Sequence, residues 1–439
     1  MRFLSTRGGA PPVSFAQALF EGLAPDGGLY VPETIEPWSA DDFARLPRRT
    51  LTEIALRALR PFARGDIDAA TLEAVIVEAL NFDIPLVEIE PGIHALELFH
   101  GPTLAFKDVG ARVMARLMAA LHTGDDPLTV LAATSGDTGS AVAHAFHRVP
   151  HTRVVILYPD GRISPTQEAQ LTMFNGQRAN VRAYAVAGSF DDCHALTRQA
   201  FGDATLRHQM RLTSANSVNL GRLLPQSVYY FHAVAQLRAR GLRESSIAVC
   251  TPSGNFGNLT AGLFAKRAGL AIDRFVAATN VNDVVPAYLA SGRFEPRASV
   301  QTLANAMDVG HPSNFERMAW MYGGDVDAMR RDIVGVCHRD EEVREAIRDV
   351  HARTGYLLDP HSAIGYLGLT RGRTLDRAAR AVGIFLATAH PAKFGEIVEP
   401  IIGRAVEKPA ALAEAMARPR HIVRIDSRFD TVRGILESV

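Results

Sequence analysis

The sequence predicts an α/β fold built on parallel sheet, and two observations support that prediction. From about residue 128, short apolar runs rich in β-branched residues alternate with helical stretches. The runs are apolar throughout rather than alternately polar, which is typical of strands that helices cover on both faces of a parallel sheet. In chain order, they are LTVLAAT (128–134), RVVILYP (153–159), VRAYAVAG (181–188), RLTSANS (211–217), SIAVCT (246–251), RFVAATN (274–280) and VGIFLAT (382–388).

The regions outside these runs have other patterns. Residues 1–98 combine Pro- and Gly-rich clusters with two helical segments, at 52–62 and 69–82, so we expect an accessory helical region packed on the main body. Residues 319–380 are predicted to be mostly helical, and their charged segment 338–350 is interpreted as a solvated helix held by i,i+4 pairs. The sequence contains no repeat and no low-complexity tract that would mark a domain boundary sharply.

Composition excludes several classes of protein. The chain has 439 residues, which suggests two or three domains, and its 47 basic residues balance 47 acidic ones. A neutral chain argues against nucleic-acid or membrane-surface binding. No apolar run approaches the roughly 20 residues that span a bilayer, and the N-terminus lacks a secretory signal pattern. The three cysteines are too far apart for a Cys-x-x-Cys metal site, so we expect no metal. Taken together, these features predict a cytoplasmic globular protein.

Lysine is unusually rare in this chain. Only four of the 47 basic residues are lysine, and the other 43 (47 minus 4) are arginine. Each lysine can therefore be examined for chemistry that needs an amine rather than a charge. Lys266 and Lys408 lie in contexts typical of the surface, whereas Lys393 follows a predicted strand, where ligands bind in open α/β sheets, and is predicted to face a phosphate.

Lys107 has the context expected of a reactive amine. It follows the apolar residues 104–106 at the predicted start of a helix, and Asp108 is next to it. Desolvation lowers the pKa of a lysine from about 10.4 and favours the neutral amine, which can form a Schiff base with a carbonyl compound. The alternative is a structural lysine buried in an ion pair with Asp108 or a glutamate.

Three predicted strand–loop–helix junctions carry anion-binding patterns. PSGNFGN (252–258) is interpreted as a phosphate cradle, or alternatively as an ordinary βα loop; it is neither a Walker A loop nor a GxGxxG dinucleotide motif. TSGDTG (134–139) is rich in hydroxyls and suits a substrate carboxylate, although Asp137 would repel an anion unless it faces a cation or donates in its protonated form; a plain helix-capping loop is equally compatible. NSVNLGR (216–222) places neutral donors beside Arg222, which can bind phosphate.

These segments together resemble threonine synthases, pyridoxal-phosphate enzymes of fold type II, the tryptophan-synthase-β type. The matching segments follow one order along the chain: STRG (5–8), GLAPDGGLYVP (22–32), FHGPTLAFKD (99–108), TSGDTG (134–139), NSVNLGRLLPQ (216–226), PSGNFGN (252–258), VGHPSNFER (309–317) and ATAHPAKF (387–394). The resemblance implies two domains with an N-terminal extension: residues 1–98 as the accessory region, 99–127 with 216–439 as the large cofactor-binding domain, and 128–215 as a small mobile domain.

The resemblance also assigns roles to individual residues. Lys107 would bind the cofactor as a Schiff base and act as the catalytic base. The other implied cofactor contacts are Asp137, Gly254, Asn255, Phe256, Gly257, Asn258 and Thr388. The implied substrate contacts are Ser135 and Thr138 for the carboxylate, Asn216, Ser217 and Arg222 for the phosphate, and Lys393 from its position. Relatives of this fold often carry Asn where this chain has Asp137.

The implied reaction converts O-phospho-L-homoserine and water to L-threonine and phosphate. The expected partner is thus a small phosphorylated amino acid, with no nucleic acid and no membrane, and the protein is expected to be a monomer or a small homo-oligomer. Two alternatives remain at this stage. One is another enzyme of the same cofactor class, such as a threonine or serine dehydratase or a sulfur-amino-acid synthase; the other is a catalytically silent homologue that acts by binding.

Overall fold

The computed structural model describes residues 1–176, 179–242, 246–371 and 381–438. The strands in these ranges are β1 (Phe3–Ser5), β2 (Tyr30–Pro32), β3 (Leu86–Glu90), β4 (Ile93–Glu97), β5 (Leu128–Ala133), β6 (Thr152–Pro159), β7 (Val181–Val186), β8 (Arg211–Ser214), β9 (Ile247–Pro252), β10 (Arg274–Thr279), β11 (Ile333–Cys337), β12 (Val382–Ala387) and β13 (Val423–Ile425).

The helices in the same ranges are α1 (Phe15–Glu21), α2 (Ala40–Arg45), α3 (Leu51–Ala63), α4 (Ala69–Ala79), α5 (Lys107–Leu121), α6 (Asp137–Phe146), α7 (Pro165–Thr172), α8 (Phe190–Gly202), α9 (Ala204–Gln209), α10 (Leu220–Leu223), α11 (Ser227–Ala239), α12 (Gly257–Arg267), α13 (Val284–Ser291), α14 (Phe315–Met321), α15 (Val326–Asp332), α16 (Asp340–Thr354), α17 (Pro360–Thr370), α18 (Gly395–Ile402), α19 (Ala410–Ala417) and α20 (Phe429–Ser438).

Two sheets organise the molecule. The larger has the strand order β11-β10-β9-β12-β4-β3, in which every pair is parallel except β3 with β4. The smaller has the order β13-β7-β6-β5-β8 and is parallel throughout. Every residue of β5, β9 and β12 is buried, as expected of strands covered by helices on both faces. The predicted α/β class is confirmed, and each of the seven predicted strands is present within a few residues of its expected bounds.

The sequence prediction was wrong about strands at the sheet edges. β3 and β4 lie within the region predicted to be an accessory helical part, but they form one edge of the larger sheet. β11 lies within the stretch predicted to be mostly helical and forms the other edge. Each of these strands is only five residues long, and β3 and β11 are largely half-buried, so they lack the long apolar signal of the central strands.

The C-terminal segment also departs from the predicted division. β13 pairs in parallel with β7 of the smaller sheet. Val432 and Leu436 of α20 are buried in the same apolar cluster as Cys193 and Leu196 of α8. The last described residues of the predicted large domain therefore pack on the smaller sheet rather than on the larger one.

Candidate active site

A single pocket collects residues that follow the carboxyl ends of strands in both sheets. β5, β9 and β12 end at Ala133, Pro252 and Ala387, and the residues after each of them line this pocket, whose open volume including its mouth is about 790 Å³. The pocket brings together every predicted site residue except Lys393: Lys107, Ser135, Asp137, Thr138, Asn216, Ser217, Arg222, Gly254, Asn255, Phe256, Gly257, Asn258 and Thr388. Ligands of open α/β sheets bind at this edge.

Lys107 is the first residue of α5 and is held against the end of β12. Leu104 before it has a left-handed backbone conformation, with φ 58°, which turns the chain into the helix. The N–H of Phe106 donates to the carbonyl of Thr388 at 2.8 Å, so the turn is attached to the residue that follows β12. The side chain of Lys107 is only 12% exposed and lines the pocket.

The partner of Lys107 is not its neighbour in sequence. The carboxylate of Asp108 accepts hydrogen bonds from the N–H and the hydroxyl of Thr103, at 2.8 and 2.7 Å. The ammonium of Lys107 instead lies 4.0 Å from Asp137 Oδ2. Burial lowers the pKa of Lys107 to about 8; Asp137 opposes this decrease, and the charges of Lys393 and Arg222 reinforce it. The neutral amine is therefore far more accessible here than on a solvated lysine.

Asp137 has the cationic partner that the sequence left open. Its Oδ1 lies 2.8 Å from the ammonium of Lys393 and accepts a hydrogen bond from Gln167 Nε2 at 3.0 Å. Burial alone would raise the pKa of the Asp137 carboxyl, but the ammonium groups of Lys393 and Lys107 hold it well below its usual range. Lys393 itself is fully buried, so its predicted role as a phosphate-facing charge does not match its position behind the pocket wall.

The 134–139 loop presents donors to the pocket at the start of α6. The hydroxyl oxygen of Thr134 accepts the N–H groups of Gly136 and Gly139 at 2.9 and 2.8 Å and so fixes the loop. Among the described residues, the backbone N–H groups of Asp137 and Thr138 have no partner. Together with the hydroxyls that line the pocket, these first-turn N–H groups form an arrangement that suits a carboxylate.

The 252–258 loop is built to present backbone rather than side chains. Asn258 uses its amide within the loop, since Nδ2 donates to the Pro252 carbonyl at 3.0 Å and Oδ1 accepts from Ser253 Oγ at 2.6 Å. The N–H groups of residues 254–258 have no partner in the part of the chain that the structure describes. A Cβ on Gly254 would lie 2.9 Å from Met307 Cα, so no side chain fits there. These unpaired donors, at the N-terminus of α12, fit a phosphate group such as that of pyridoxal phosphate.

The 216–222 segment offers side chains instead. Arg222 is buried; its Nη1 donates to the Ala215 carbonyl at 2.7 Å, and its Nε has no partner. It forms no ion pair with any described carboxylate, and burial lowers its pKa to about 10. Asn216 Nδ2 donates to the Ala133 carbonyl at 3.0 Å, which leaves its buried Oδ1 without a partner. A buried guanidinium without a carboxylate is unfavourable unless an anion joins it.

Two residues of the site were missed by the sequence analysis. Arg317 is fully buried; it donates to the carbonyls of Tyr30, Ser217 and Val218, so it ties the N-terminal strand β2 to the 216–222 segment. Burial lowers the pKa of Arg317 to about 9. It lies within VGHPSNFER, yet nothing in that motif indicates that its guanidinium would bind the Tyr30 carbonyl, 287 positions away, and two carbonyls about 100 positions away.

His361 is the second missed residue, and it lines the pocket at the start of α17. Its Nε2 accepts the N–H of Ala306 at 3.2 Å, and its Nδ1 lies 2.6 Å from Asp359 Oδ2. Because Nε2 accepts a hydrogen bond, Nδ1 is the ring nitrogen placed to donate to Asp359. The signal that could have found it is the sequence Asp-Pro-His, in which Asp359 caps the helix.

Two other classes of site were searched for. Within the described ranges, no group of three or more His, Cys, Asp or Glu side chains is arranged to hold a metal ion. No helix in those ranges is both long and apolar enough to cross a membrane.

Family models cover nearly the whole chain. A model described as pyridoxal-phosphate dependent enzyme matches residues 81–386. Models described as threonine synthase N terminus and as threonine synthase, C-terminal match residues 2–80 and 362–436. Together with the fold, these matches define the class: the chain is a pyridoxal-phosphate-dependent enzyme of fold type II, and the cofactor prediction is confirmed.

Individual relatives define the family within this class. The threonine synthase of Haemophilus influenzae is 45% identical over 428 residues, which are 97% of this chain and 96% of the relative. A crystal structure of threonine synthase from Escherichia coli superposes with a TM-score of 0.92 at 40% identity over 100% of both chains. A pyridoxal-phosphate-bound threonine synthase from Brucella melitensis gives 0.91 at 37% identity, over 100% of this chain and 99% of its own. This chain belongs to the threonine synthase family, as the sequence motifs predicted.

More distant structures share the fold alone. An L-serine ammonia-lyase from Rhizomucor miehei superposes with a TM-score of 0.53 at 13% identity, over 70% of this chain. A likeness at this level of identity shows the fold alone and does not favour the dehydratase alternative.

Proposed function

We propose that this chain converts O-phospho-L-homoserine and water to L-threonine and phosphate, with the residue roles set out below. The observation that carries the proposal is that one pocket holds two sets of unpaired donors of different construction beside Lys107. The N–H groups of residues 254–258 form one set, and Nε of Arg222, whose buried guanidinium has no ion pair with any described carboxylate, belongs to the other. One suits the phosphate of the cofactor, and the second suits a phosphate on the substrate.

Three groups of the chain would hold the cofactor, which supplies an electron sink for carbanion chemistry when it is bound. The N–H groups of residues 254–258 would bind its phosphate. The amine of Lys107 would hold it covalently. The hydroxyl of Thr388 would hydrogen-bond the ring nitrogen. A hydroxyl does not keep that nitrogen protonated as a carboxylate would, so this chain limits how strongly the ring withdraws electrons.

Lys107 would move the protons of the reaction. Burial favours its neutral form, and the carboxylate of Asp137 at 4.0 Å stabilises the ammonium that each proton transfer creates. We expect the amine to take the proton from Cα, to pass that proton to the phosphate of the substrate, and then to take a proton from Cβ, after which phosphate leaves from Cγ. Lys107 then gives the Cβ proton to Cγ. Water adds its hydroxyl at Cβ, and its remaining proton returns to Cα through Lys107 before threonine is released.

The substrate would be held at both of its ends. The hydroxyls of Ser135 and Thr138 and the unpaired N–H groups at the start of α6 suit its carboxylate. Asn216 and Arg222 suit its phosphate, because a guanidinium offers several donors in a fixed plane. Binding at both ends would orient the bond between Cγ and oxygen for cleavage.

Exclusion of water until elimination is complete requires a closed site. We expect the predicted small domain, residues 128–215, to close on the substrate. α7 of that region is already linked to the rest of the molecule, since the hydroxyl of Thr166 donates to the Lys393 carbonyl at 2.6 Å and Gln170 Nε2 donates to the Thr103 carbonyl at 3.3 Å. Small-angle scattering with and without O-phosphohomoserine tests this expectation, which fails if substrate causes no compaction.

The dehydratase alternative differs in what it needs from Arg222. A dehydratase acts on a substrate without phosphate and has no use for a second anion site. The discriminating assay compares phosphate release from O-phosphohomoserine with ammonia release from threonine or serine. Threonine formation with stoichiometric phosphate supports the proposal, and ammonia as the main product overturns it. A protein that stays colourless after pyridoxal phosphate is added would indicate a silent homologue.

We also propose, from the sequence, the substrate class, the compartment, the partners and the assembly of this chain. The chain would act on a small phosphorylated amino acid in the cytoplasm, without nucleic acid or membrane, as a monomer or a small homo-oligomer. Sedimentation of the purified protein, alone and with nucleic acid, measures its assembly and tests that expectation directly.

A further inference from the structure

Lys393 occupies an unusual position for a lysine, behind the wall of the pocket. It is fully buried, and its ammonium lies 2.8 Å from Asp137 Oδ1 and 2.8 Å from the Thr103 carbonyl. Its backbone is fixed as well, because its carbonyl accepts the hydroxyls of Thr166 at 2.6 Å and Ser164 at 3.2 Å. Both the charge and the chain that carries it are thus held in place.

The carboxylate of Asp137 is shared by two ammonium groups. Oδ1 faces Lys393 at 2.8 Å, and Oδ2 faces Lys107 at 4.0 Å. The closer contact is made by the lysine outside the pocket. A carboxylate that is already neutralised on one side attracts a second cation less strongly than a free one does.

We propose that Lys393 is a positioning residue that acts on Lys107 through Asp137. By holding the carboxylate ionised and fixed behind the pocket, it keeps Asp137 from binding the amine of Lys107 as a tight ion pair. Lys107 then stays available in its neutral, nucleophilic form. The importance of this effect for turnover rests on the proposed function, whereas the effect on the amine itself does not.

The other charged groups near Lys107 and Asp137 are compatible with an action of Lys393 on Lys107 through Asp137. Lys107 also faces Arg222, which like Lys393 opposes protonation of the amine. His361 also acts on Asp137 by lowering the pKa of its carboxyl, and its Nε2 accepts the N–H of Ala306. Asp108 on α5 directs its carboxylate to Thr103, and Lys393, Arg112 and Arg222 are cations that interact with it. Among the described residues, Asp137 is therefore the carboxylate that couples the two lysines.

A double-mutant cycle tests the proposal on the full-length protein freed of cofactor. Lys393→Met removes the cation but keeps an unbranched chain, Asp137→Asn removes the anion, and the double variant removes both. Competitive labelling with trace acetic anhydride between about pH 6 and pH 11, followed by mass spectrometry, gives the protonation midpoint of Lys107. The chain has only four lysines, so each is followed separately.

Lys266→Met is the matched control. Lys266 is also ion-paired, with its ammonium 2.9 Å from Asp332, but the pair is about a quarter exposed and outside the pocket. Its substitution should leave the midpoint of Lys107 unchanged. A shift in this control would mean that the labelling reports global charge, and the proposal would lose its support.

Lys393→Met should raise the midpoint of Lys107 by about one pH unit or more. In the D137N background the same substitution should raise it less, because only the direct repulsion between the two lysines is then removed. An unchanged midpoint in folded Lys393→Met would reduce Lys393 to a structural role and overturn the proposal. Equal shifts in both backgrounds would also overturn it, since the action would not run through Asp137.

The cycle remains decisive if Lys393→Met fails to fold. A double variant that folds would support the proposal, because the damage would then come from the uncompensated carboxylate of Asp137. A double variant that also fails to fold would show that the amine is needed for structure alone. Threonine formation by the unmodified protein is measured in parallel. If that protein is active but the midpoint does not shift, the inference alone fails; if the midpoint shifts but the protein is inactive, the proposed function alone fails.

Discussion

The two proposed phosphate sites of the pocket are built in opposite ways. The asparagine side chains of the 252–258 loop hold its backbone in place. Asn258 Nδ2 donates to the Pro252 carbonyl, and Asn255 Oδ1 accepts the N–H of Ser313 at 3.1 Å. The N–H groups of residues 254–258 have no partner among the described residues. The 216–222 segment presents the side chain of Arg222, buried without a carboxylate partner. The 252–258 site depends on the conformation of its backbone, and the 216–222 site depends on the full charge of Arg222. Substitutions should therefore separate them: glycine changes should affect the loop, and loss of one guanidinium should affect the segment.

The largest effect is expected at Lys107, which serves the ligands of both sites. Lys107→Arg should abolish threonine formation, because a guanidinium remains charged and cannot form a Schiff base. Lys266→Arg is the control, since an arginine there can keep the surface ion pair with Asp332 and should leave the rate unchanged. Measurable turnover by Lys107→Arg would contradict the assignment of the reactive amine.

A large effect confined to substrate binding is expected at Arg222. Arg222→Ala should raise the KM for O-phosphohomoserine roughly 100-fold and weaken cofactor binding far less, because a buried charged hydrogen bond to phosphate is lost. Arg112→Ala is a matched control: Arg112 is also buried, but it donates to the carbonyls of Ala79 and Glu78 outside the pocket. That control should lower stability without raising the KM. An unchanged KM in Arg222→Ala would refute the phosphate role.

A smaller effect is expected in the 252–258 loop, where a substitution should weaken cofactor binding rather than substrate binding. Gly254→Ala should weaken pyridoxal phosphate binding by about tenfold or more, because its Cβ would lie 2.9 Å from both Met307 Cα and Val309 Cγ2 and would displace the backbone donors. Fluorescence titration of the cofactor measures this loss. Gly434→Ala, in α20 with no atom near the added Cβ, should bind the cofactor as the unmodified protein does. Equal affinity in Gly254→Ala would argue against the cradle.

The smallest expected effect is a dependence on pH of the rate at which Lys107 captures the cofactor. Burial lowers the pKa of Lys107 to about 8, so the neutral amine dominates above that pH and is lost below it. The rate at which the cofactor-free protein captures pyridoxal phosphate should therefore rise with pH and level off above about pH 8. Borohydride trapping and mass spectrometry measure this rate. A rate that continued to rise toward about pH 10.4 would indicate a solvated lysine instead.

Much of the site was predictable because its signals are local. Gly254, Gly257 and the lone lysine after an apolar segment are each recognisable within a few residues, and the strands before them show a clear apolar pattern. The strands that the sequence did not predict also have a local explanation. β3 and β11 are the edge strands of the larger sheet and β4 is next to β3; each is only five residues long and carries too little pattern to be distinguished from its helical surroundings.

The charge partners, by contrast, could not be predicted. From the sequence, Asp137 could either face a cation or be protonated, and Asp108 or a glutamate was the alternative structural partner of Lys107. In the structure, the carboxylate of Asp108 accepts a hydrogen bond from Thr103. Asp137 is paired with Lys393, which lies more than 250 positions from it in the chain. Nothing in either segment encodes that distance, because it arises only when the ends of β5 and β12 meet at one pocket.

The sequence by itself determined which residues could do chemistry here. An imine needs an amine, and a tight backbone approach needs glycine, so Lys107 and Gly254 are identifiable without coordinates. The tertiary structure alone decided which charges are satisfied and which are not. It pairs Asp137 with Lys393 and leaves Arg222 without a carboxylate. The physical reason is that burial and Coulomb interactions depend on distance in space, and the fold sets that distance between residues far apart in the chain.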